Sequence, residues 1–307
     1  MTFLVGTRGS KLSLAQTNWV ISELQKQNPG SEFEIKTITT KGDTDTRALF
    51  TIDQKGIFEK EIDKAVAEKQ IDFAVHSLKD VPSDISKSLT IACVPKRESA
   101  NDVLITKDGS NLKTIPLNAV VGTSSLRRAV QVSRIRPDVV VKPVRGNIET
   151  RINKVIDGKF DAIILAEAGI SRLGLDVKHS VLSTKDFPPS PGQGALAIVC
   201  RADDDKTISM LKKIEDKKSR IEIEAERALS DYVESGCRFP VGALAIANSG
   251  MLKLTVSAYS VDGKISIKLE KTGDVDNPKN LGQELGKELK KSGITEIASN
   301  WRESLDE

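Results

Sequence analysis

The first two thirds of the chain alternate between two patterns of apolar and polar residues. Phe3–Thr7 and Phe33–Thr39 have the two-residue period of strands, whereas the segment after Ser10 carries apolar residues every three or four positions, which predicts a helix capped by Ser10. Further strands are predicted at Ile71–Val75, Leu89–Val94, Val103–Thr106, Ala119–Val121, Val139–Lys142 and Asp161–Leu165. Further helices are predicted at Ile57–Lys69, Ser125–Arg136 and Ile148–Ile156. Strands that alternate with helices are typical of α/β layers, and we expect mainly parallel strand pairing.

The last third of the chain has a different order of elements. An amphipathic helix is predicted at Arg220–Ser235 and a closing helix at Asn280–Lys291. The strands predicted between these helices are Val241–Ala247, Leu252–Val261 and Lys264–Glu270. An Asp-Gly turn joins the last two strands, so this part indicates a small α+β domain with an antiparallel sheet.

Two segments are interpreted as connections between elements. Residues 187–194 include three prolines and two glycines, which favours a hinge or crossover. Lys41–Gly56 is polar and contains two glycines, so we expect a long mobile loop of the kind that often forms a functional lid.

Composition narrows the classes of function. Of the 307 residues, 38% are hydrophobic and 29% are charged, an ordinary balance for a soluble globular protein with a sizeable core. No apolar run approaches the ~20 residues of a membrane-spanning helix, and the N-terminus lacks a signal-peptide pattern, so we expect a cytoplasmic protein without a membrane partner. The net charge of +3 is too small to imply a nucleic-acid partner.

Cysteine and histidine are both scarce. Three cysteines and two histidines, without a Cys-x-x-Cys pair, predict neither a disulfide framework nor a metal site. Cys93 and Cys200 lie in apolar segments and are interpreted as core residues. Cys237 lies in a glycine-containing loop beside Arg238, where access and a nearby cation would favour a reactive thiolate. The residues alone leave open whether Cys237 is reactive.

The strongest chemical signal is a concentration of basic residues between positions 122 and 151. These residues are Arg127, Arg128, Arg134, Arg136, Lys142, Arg145 and Arg151, and only two acidic residues lie among them. The first pair follows Ser125 at the start of a predicted helix, and Arg145 and Gly146 repeat the arrangement at the next strand-to-helix turn. Helix N-termini and arginine side chains bind carboxylates or phosphates, which predicts an anion site. Arg134 and Arg136, farther along the helix, are expected on a solvated face.

Two further turns carry residues that could bind a ligand or take part in catalysis. Arg8 and Ser10 lie between the first strand and the first helix, in the same arrangement as the arginine turns, although an ordinary turn explains them equally well. Lys79 and Asp80 follow a predicted strand, where a buried carboxylate could stabilise a developing cation or move a proton. The alternatives are a surface ion pair for Lys79 and Asp80 and a hydrogen-bonded structural role for His76.

Taken together, these motifs resemble the porphobilinogen deaminase family, also called hydroxymethylbilane synthases. The matching stretches occur in family order over nearly the whole length: Thr7–Ser10, Asp72–Pro82, Val121–Arg128, Arg145–Arg151, Asp161–Ala166, Arg172–Leu175, Gly192–Ala195 and Gly236–Cys237. The resemblance implies a transferase that joins four porphobilinogen molecules head to tail, with release of ammonia, into the linear tetrapyrrole hydroxymethylbilane of haem and porphyrin biosynthesis. It also implies a covalent dipyrromethane cofactor, attached by a thioether to Cys237, on which the chain is primed.

The resemblance implies roles for individual residues. Asp80 matches the catalytic aspartate, which in the family stabilises the cationic azafulvene left when the amine departs. The matching cofactor-binding residues are Cys237, Lys79, Asp80, Ser125, Arg127, Arg128, Arg145 and Gly146. The matching substrate-binding residues are Arg8, Ser10, Arg151 and Arg172. Lys55 falls in the family's mobile loop, and the implied protein is a monomer that acts on a small molecule without a metal.

The element pattern and the resemblance together predict an α/β protein of three domains: two doubly wound α/β lobes, similar to those of periplasmic binding proteins, and a small C-terminal α+β domain with a three-stranded antiparallel sheet. Residues 1–95 and 196–215 are assigned to the first lobe, 101–190 to the second, and 217–307 to the C-terminal domain, which carries the cofactor cysteine. Two other functions stay open. A non-catalytic carboxylate-binding protein would share the two lobes, and a nucleic-acid-binding protein would share the arginine cluster, although only 4% of residues are aromatic.

Overall fold

The computed structural model describes residues 2–44, 59–82, 84–233 and 240–294. Its strands in these ranges are β1 (Thr2–Thr7), β2 (Glu32–Thr37), β3 (Phe73–Ser77), β4 (Leu89–Cys93), β5 (Asp102–Thr106), β6 (Val120–Gly122), β7 (Val140–Lys142), β8 (Ala162–Ala166), β9 (His179–Leu182), β10 (Leu196–Arg201), β11 (Val241–Asn248), β12 (Met251–Tyr259) and β13 (Ser266–Asp274). Its α-helices there are α1 (Lys11–Gln27), α2 (Lys41–Thr44), α3 (Lys60–Ala67), α4 (Leu126–Ile135), α5 (Ile148–Ile156), α6 (Glu167–Leu173), α7 (Asp205–Leu211), α8 (Lys217–Tyr232) and α9 (Pro278–Leu289).

The first lobe is built on a five-stranded sheet with the order β2-β1-β3-β10-β4. Along β3, Phe73 and Val75 pack in one core with Leu24 of α1, whereas Ala74 packs in a second core with Ile62 of α3. Successive strand residues point to opposite faces, so a strand that is apolar throughout needs a covering layer on both sides. The sheet therefore lies between helices on both faces, as predicted for a doubly wound lobe.

The second lobe repeats this design with the strand order β7-β6-β8-β5-β9. Leu104 of β5 packs with Val132 of α4 on one face, and its neighbours Val103 and Ile105 pack with Ile152 of α5 on the other. The two lobes are joined by a first crossover, residues 94–101 between β4 and β5, and a second crossover, residues 183–195 between β9 and β10.

The expectation of mainly parallel pairing is wrong, because each lobe has two parallel and two antiparallel strand pairings. In each lobe the antiparallel strand is the one that the chain enters from the other lobe: β5 follows the first crossover and β10 follows the second. Apolar periodicity reports which residues are buried, not the direction in which a strand runs, so this feature had no signal in the sequence.

Five elements lie where the pattern predicted none: α2, α6, β9, β10 and α7. Most are too short to show a period, and α2 occupies the beginning of the segment that was predicted as a loop. In β10 every residue but the last is buried, and a continuous apolar run cannot be assigned to strand or helix from periodicity alone.

The C-terminal sheet has the order β11-β12-β13 and is antiparallel throughout, as predicted. Leu252 and Leu254 of β12 are fully buried in a core that includes Leu285 of α9. Helix α8 begins earlier than predicted because Asp216 caps it, its side chain accepting a hydrogen bond from the N–H of Ser219 at 2.7 Å. None of the helices in the described ranges combines the length and the apolarity needed to cross a membrane.

Candidate active site

The first group of candidate residues lies on the turn that follows β3. Leu78–Asp80 forms a single 3-10 turn, and the N–H of Leu78 donates to the carbonyl oxygen of Ala195 at 3.0 Å. Gly192, with φ of 75°, packs on the same turn, so that a Cβ added there would collide with the Leu78 side chain and lie 3.2 Å from the nitrogen of Lys79. The second crossover therefore fixes the backbone that presents Lys79 and Asp80.

Lys79 and Asp80 are half-buried, and neither side chain makes a hydrogen bond or ion pair with another residue in the described ranges. Burial lowers the pKa of Lys79, and the negative charge of Asp80 partly opposes this effect. The two residues do not form the surface ion pair that was one interpretation of the sequence. Their ammonium and carboxylate groups are instead available to a bound molecule.

Asp80 shares a small pocket with Arg8, which lies on the turn after β1. The other residues that line this pocket are Ser13, Gln16, Glu59, Val75, His76 and Ser77. Gln16 Nε2 donates to Ser77 Oγ at 2.9 Å, which connects α1 to the end of β3. The fold thus brings together two candidates, Arg8 and Asp80, that are far apart in the sequence.

The turn after β1 carries Arg8 and Ser10. Arg8 Nε donates to Asp43 Oδ1 at 3.0 Å, Arg8 Nη2 makes a short second bond to the same oxygen, and the hydroxyl of Thr40 holds Asp43 Oδ2 at 2.8 Å. Burial acts to raise the pKa of Asp43, but the hydrogen bonds from Arg8 and Thr40 outweigh it and lower the pKa below its ordinary value. A carboxylate ligand would have to share Arg8 with Asp43 or displace it. Ser10 caps α1 by accepting a hydrogen bond from the N–H of Ser13 at 3.2 Å.

The first turn of α4 carries two arginines that point into the protein. Arg127 and Arg128 are 6% and 7% exposed, and both contact the fully buried carboxylate of Asp102 at the start of β5. Arg127 Nη2 lies 2.8 Å from Asp102 Oδ2, and Arg128 Nε and Nη2 lie 3.0 and 2.7 Å from Asp102 Oδ1. Burial acts to raise the pKa of Asp102, but the charges of the two guanidinium groups outweigh it and lower the pKa. These arginines form an internal ion cluster in which two positive charges face one negative charge.

A second set of arginines lies at the N-terminal turn of α5. Arg151 Nε donates to the carbonyl oxygen of Gly146 at 2.6 Å, and one terminal nitrogen of Arg145 is buried without a hydrogen-bond partner in the part of the chain that the structure describes. Burial lowers the pKa of Arg151, and the positive charges of Arg128 and Arg145 lower it further, so these guanidinium groups are close enough to repel one another. Ser125, at the N-cap of α4, makes no side-chain capping bond. The arrangement suits an anion with several carboxylates.

Arg172 lies at the end of α6, against the second crossover. Its Nη2 donates to the carbonyl oxygen of Gly194 at 2.7 Å. Burial lowers the pKa of Arg172 to about 10, and the charge of Glu98 partly opposes this. Arg172 is thus placed by the crossover and not by the helix N-termini that hold the other arginines.

Both Arg134 and Arg136 were expected on a solvated face. Arg134 is exposed, as expected, whereas Arg136 is half-buried. Arg134 Nη2 donates to Ser266 Oγ at 2.9 Å, which connects the second lobe to the C-terminal sheet. Arg136 Nε and Nη2 lie 2.7 and 2.6 Å from the two carboxylate oxygens of Asp138. Both arginines therefore have structural contacts.

Structural roles explain three other candidates, Cys93, Cys200 and His76. Cys93 and Cys200 are fully buried in the core of the first lobe, as predicted, and burial raises the pKa of both thiols, that of Cys200 to about 12. His76 is 5% exposed, and its Nε2 lies 3.1 Å from Asp63 Oδ1, in keeping with a hydrogen-bonded structural histidine.

Cys237 and Lys55 lie outside the described residues. Strand β11, which follows Cys237 in the chain, is attached to the second crossover, because the N–H of Ala243 donates to the carbonyl oxygen of Pro189 at 2.9 Å. The described edge of the C-terminal domain therefore contacts the same crossover that fixes the Asp80 turn.

Neither the role of Asp102 nor the pairing of Asp43 with Arg8 was predicted from the sequence. The sequence did offer one sign that Asp102 is important: it is an acidic residue at the start of an otherwise apolar strand, next to a connection between elements. Asp43 was assigned only to the predicted loop, and its partner lies 35 positions earlier in the chain.

The chain matches two family models. Residues 3–209 match "Porphobilinogen deaminase, dipyromethane cofactor binding domain", and residues 220–291 match "Porphobilinogen deaminase, C-terminal domain". The chain is 67% identical to the probable porphobilinogen deaminase of Nitrosopumilus maritimus, over 100% of this chain and 99% of that one. It is 43% identical to the porphobilinogen deaminase of Brevibacillus brevis, over 95% of each chain.

Among solved structures, the methionine-binding protein MetQ is similar with a TM-score of 0.43 and 12% identity, covering 69% of this chain and 89% of that one. The two-lobed fold is established by the sheets described above and not by this likeness. From its matches over nearly the whole length, the chain belongs to the porphobilinogen deaminase family, the hydroxymethylbilane synthase transferases of tetrapyrrole biosynthesis, whose first domain binds the dipyrromethane cofactor.

Proposed function

We propose that Asp80 and the arginines around it carry out the family reaction in this chain, with Cys237 as the thioether anchor of the cofactor. The observation that most supports this is the shared pocket of Asp80 and Arg8 at the end of β3. Porphobilinogen, the substrate of the family, bears carboxylates and an amine that leaves as ammonia. A guanidinium beside a carboxylate suits such a substrate, because one group binds an anion and the other stabilises a cation.

The described residues fit a cofactor that carries several carboxylates. Arg145 has a buried nitrogen without a hydrogen-bond partner in the described ranges, and the ammonium of Lys79 is half-buried without an ion pair there. Burying such groups without a partner is unfavourable, and carboxylates would satisfy them. When bound, dipyrromethane supplies the primer to which pyrrole units are added. The residues that would hold it are Lys79, Ser125, Arg127, Arg128, Arg145 and Gly146.

The incoming substrate is assigned to the remaining arginines. Each pyrrole unit carries an acetate and a propionate, so successive additions increase the negative charge that the site must neutralise. Arg8, Arg151 and Arg172 would bind these carboxylates, and Ser10 would contribute at the N-terminus of α1, where free N–H groups also favour anions. Arg151 and Arg172 are half-buried, and burial lowers the pKa of both, so a bound anion would stabilise their charged forms.

Asp80 would act on the charge that forms when the amine leaves. Loss of ammonia places a positive charge on the pyrrole, and a carboxylate held on a fixed turn can accept a hydrogen bond from the ring N–H and stabilise that charge where it develops. Asp80 has no competing partner in the described ranges, and the second crossover fixes the backbone of its turn. In the proposed reaction the same carboxylate would also accept a proton.

The anchoring assignment is tested by intact mass. The purified protein should exceed its sequence mass by one dipyrromethane adduct, and Cys237→Ala should abolish the excess. Cys93→Ala and Cys200→Ala are matched controls that should keep it, because both thiols are fully buried. An adduct that persists in Cys237→Ala would contradict the assignment.

The role of Asp80 is tested by turnover of porphobilinogen. Asp80→Asn should slow ammonia release by at least ~10²-fold, the usual contribution of a positioned acid, base or charge-stabilising group. Asp84→Asn, which changes an exposed aspartate nearby, should retain normal turnover. Normal turnover in Asp80→Asn would refute the assigned role.

The domain division and the solution state are part of the same proposal. Sheet membership supports assigning residues 1–95 and 196–215 to one lobe, 101–190 to the other and 217–307 to the C-terminal domain. We further assign the protein to the cytoplasm, as a monomer without nucleic-acid or membrane partners. Light scattering during size exclusion should give the mass of one chain, and a larger mass would overturn the monomer.

A further inference from the structure

Asp102 lies where the first crossover, the second crossover and the arginine turn of α4 meet. Its side chain is fully buried, and it is the first residue of β5. Both oxygens are occupied: Oδ2 accepts from Arg127, and Oδ1 accepts from Arg128 and from Gln193 Nε2 at 2.9 Å. One carboxylate therefore sets the positions of two guanidinium groups.

Gln193 connects this carboxylate to both crossovers. It lies in the second crossover and is 1% exposed. Its Nε2 donates to the carbonyl oxygen of Ala100 in the first crossover at 2.7 Å, as well as to Asp102, and its Oε1 accepts from Arg128 Nη2 at 3.3 Å. The preceding residue, Gly192, packs on the turn that carries Lys79. A shift of this crossover would change the arginine cluster and the Asp80 turn together.

The charge of the cluster does not balance internally. Arg127 and Arg128 bring two positive charges and Asp102 one negative charge, all in a buried place. A buried cation without a compensating anion is unfavourable, so the surplus charge indicates a site for an anionic ligand. An arginine has five N–H donors, of which Arg127 uses three and Arg128 four in the described ranges, so donors remain for such a ligand.

We propose that Asp102 is a positioning residue for the cofactor: it holds Arg127 and Arg128 in the one geometry that places the cofactor correctly relative to Asp80. Gln193 fixes the carboxylate and so connects this geometry to the crossovers. This inference rests on the proposed role of the two arginines as cofactor ligands. Asp102 would act through the two arginines, because both of its carboxylate oxygens are already bonded to protein groups.

The experiment compares two variants of the holoenzyme, Asp102→Asn and Gln193→Met. The first keeps the shape of the side chain and removes its charge, and the second keeps the length of the side chain and every charge but removes the amide. In both we expect kcat per cofactor-loaded chain to fall about tenfold, because a displaced reactant loses much of the benefit of orientation. KM should change less than about twofold, because other arginines bind the incoming substrate. The loaded fraction, read from intact mass, should also fall.

Two other roles for Asp102 predict different results, and either result overturns the proposal. If the arginines need only positive charge, Asp102→Asn should increase the loaded fraction and leave kcat unchanged. If Asp102 is only structural, Tm should fall while kcat per loaded chain stays within about twofold of the parent. Should Asp102→Asn give no soluble protein, Gln193→Met decides, because it leaves all charges in place.

Asp138→Asn is the matched control. It breaks a two-point pairing with Arg136 in the same lobe and should leave kcat per loaded chain unchanged. The parent protein separates this inference from the proposed function. A parent without the mass adduct and without consumption of porphobilinogen contradicts the function, whereas an active, loaded parent with unaffected variants contradicts only the role of Asp102.

Discussion

Replacing Glu226 with glutamine should destabilise the folded chain more than removing any exposed ion pair. Glu226 lies on α8, is fully buried and is surrounded by donors from three parts of the fold. Its carboxylate accepts from Arg97 in the first crossover at 2.7 and 3.1 Å, from the N–H of Gly192 in the second crossover at 2.7 Å, and from the N–H of Ala245 in β11 at 2.9 Å. This one side chain connects the C-terminal domain to both crossovers.

The size of the stability loss in Glu226→Gln follows from the burial of the side chain and from the partners that remain. Removing one member of a buried ion pair costs about 3–5 kcal/mol, because the other charge is left uncompensated. Glutamine retains one acceptor but turns its NH2 group toward a donor. Glu222 Oε2, 4.0 Å from Arg97 Nη1, offers partial compensation. We therefore expect a loss near the lower limit, about 3 kcal/mol. For a chain of this size, with an unfolding entropy of about 2.1 cal/mol/K per residue, that loss lowers Tm by about 5 °C.

Calorimetry and urea unfolding would measure the loss. Glu284→Gln removes an exposed pairing with Lys271 and should change the free energy of unfolding by less than about 0.5 kcal/mol. A double variant, Arg97→Met with Glu226→Leu, removes both charges but leaves the N–H groups of Gly192 and Ala245 without their acceptor, so it should recover only part of the loss. A loss in Glu226→Gln no larger than in Glu284→Gln would refute the reasoning.

Three further predictions concern the burial of the thiols and the close packing of the Asp80 turn. In the folded protein at pH 8, iodoacetamide should leave Cys93 and Cys200 unmodified. A thiol with a pKa of about 12, the value for Cys200, is ionised in only about one molecule in 10⁴. Labelling of either cysteine before unfolding, detected by peptide mass, would contradict this. Burial raises the pKa of both thiols, that of Cys200 to about 12, so the stability linked to the protonated thiols is complete below about pH 9. The part linked to Cys200 is lost as the pH rises through about 12, which urea unfolding against pH would detect. Gly192→Ala should lower kcat at least ~10-fold by displacing the turn that carries Lys79 and Asp80. Gly158 has a similar positive φ but open space around it, so Gly158→Ala should affect only stability. Equal kcat values in the two variants would exclude the contact between Gly192 and this turn as the cause.

The predictions that succeeded depended on local signals. Helix Ile148–Ile156 was predicted with both ends correct, and the structure adds that the side chain of Asn147 caps it. The turns of Arg8 and Asp80 were recognised in the same way, from residue types that follow an apolar strand. Neither pattern required knowledge of a distant part of the chain.

The features that were missed depend on distant contacts. Arg127 and Arg128 were predicted to face a ligand, but the sequence could not show that Asp102, 25 and 26 positions away, already binds them. The directions of β5 and β10 were missed for the same reason, since strand direction follows from which lobe the chain leaves. A local pattern reports burial and capping, whereas charge compensation and chain direction belong to the assembled fold.

The second crossover explains why these distant contacts matter for function. Gly192 packs on the Lys79 turn and donates to Glu226, Gln193 binds Asp102, and the carbonyl oxygen of Gly194 holds Arg172. A Cβ on Gly194 would lie 2.5 Å from the carbonyl oxygen of Ser99, so the two crossovers touch without room for a side chain. The Asp80 turn, the Arg127–Arg128 pair and Arg172 are all held by residues 192–194, so a rotation between the domains at this point would change the distances among these groups. We therefore expect the crossovers to keep these groups at fixed spacing, and the room needed by a lengthening product to come from parts of the chain that do not contact them.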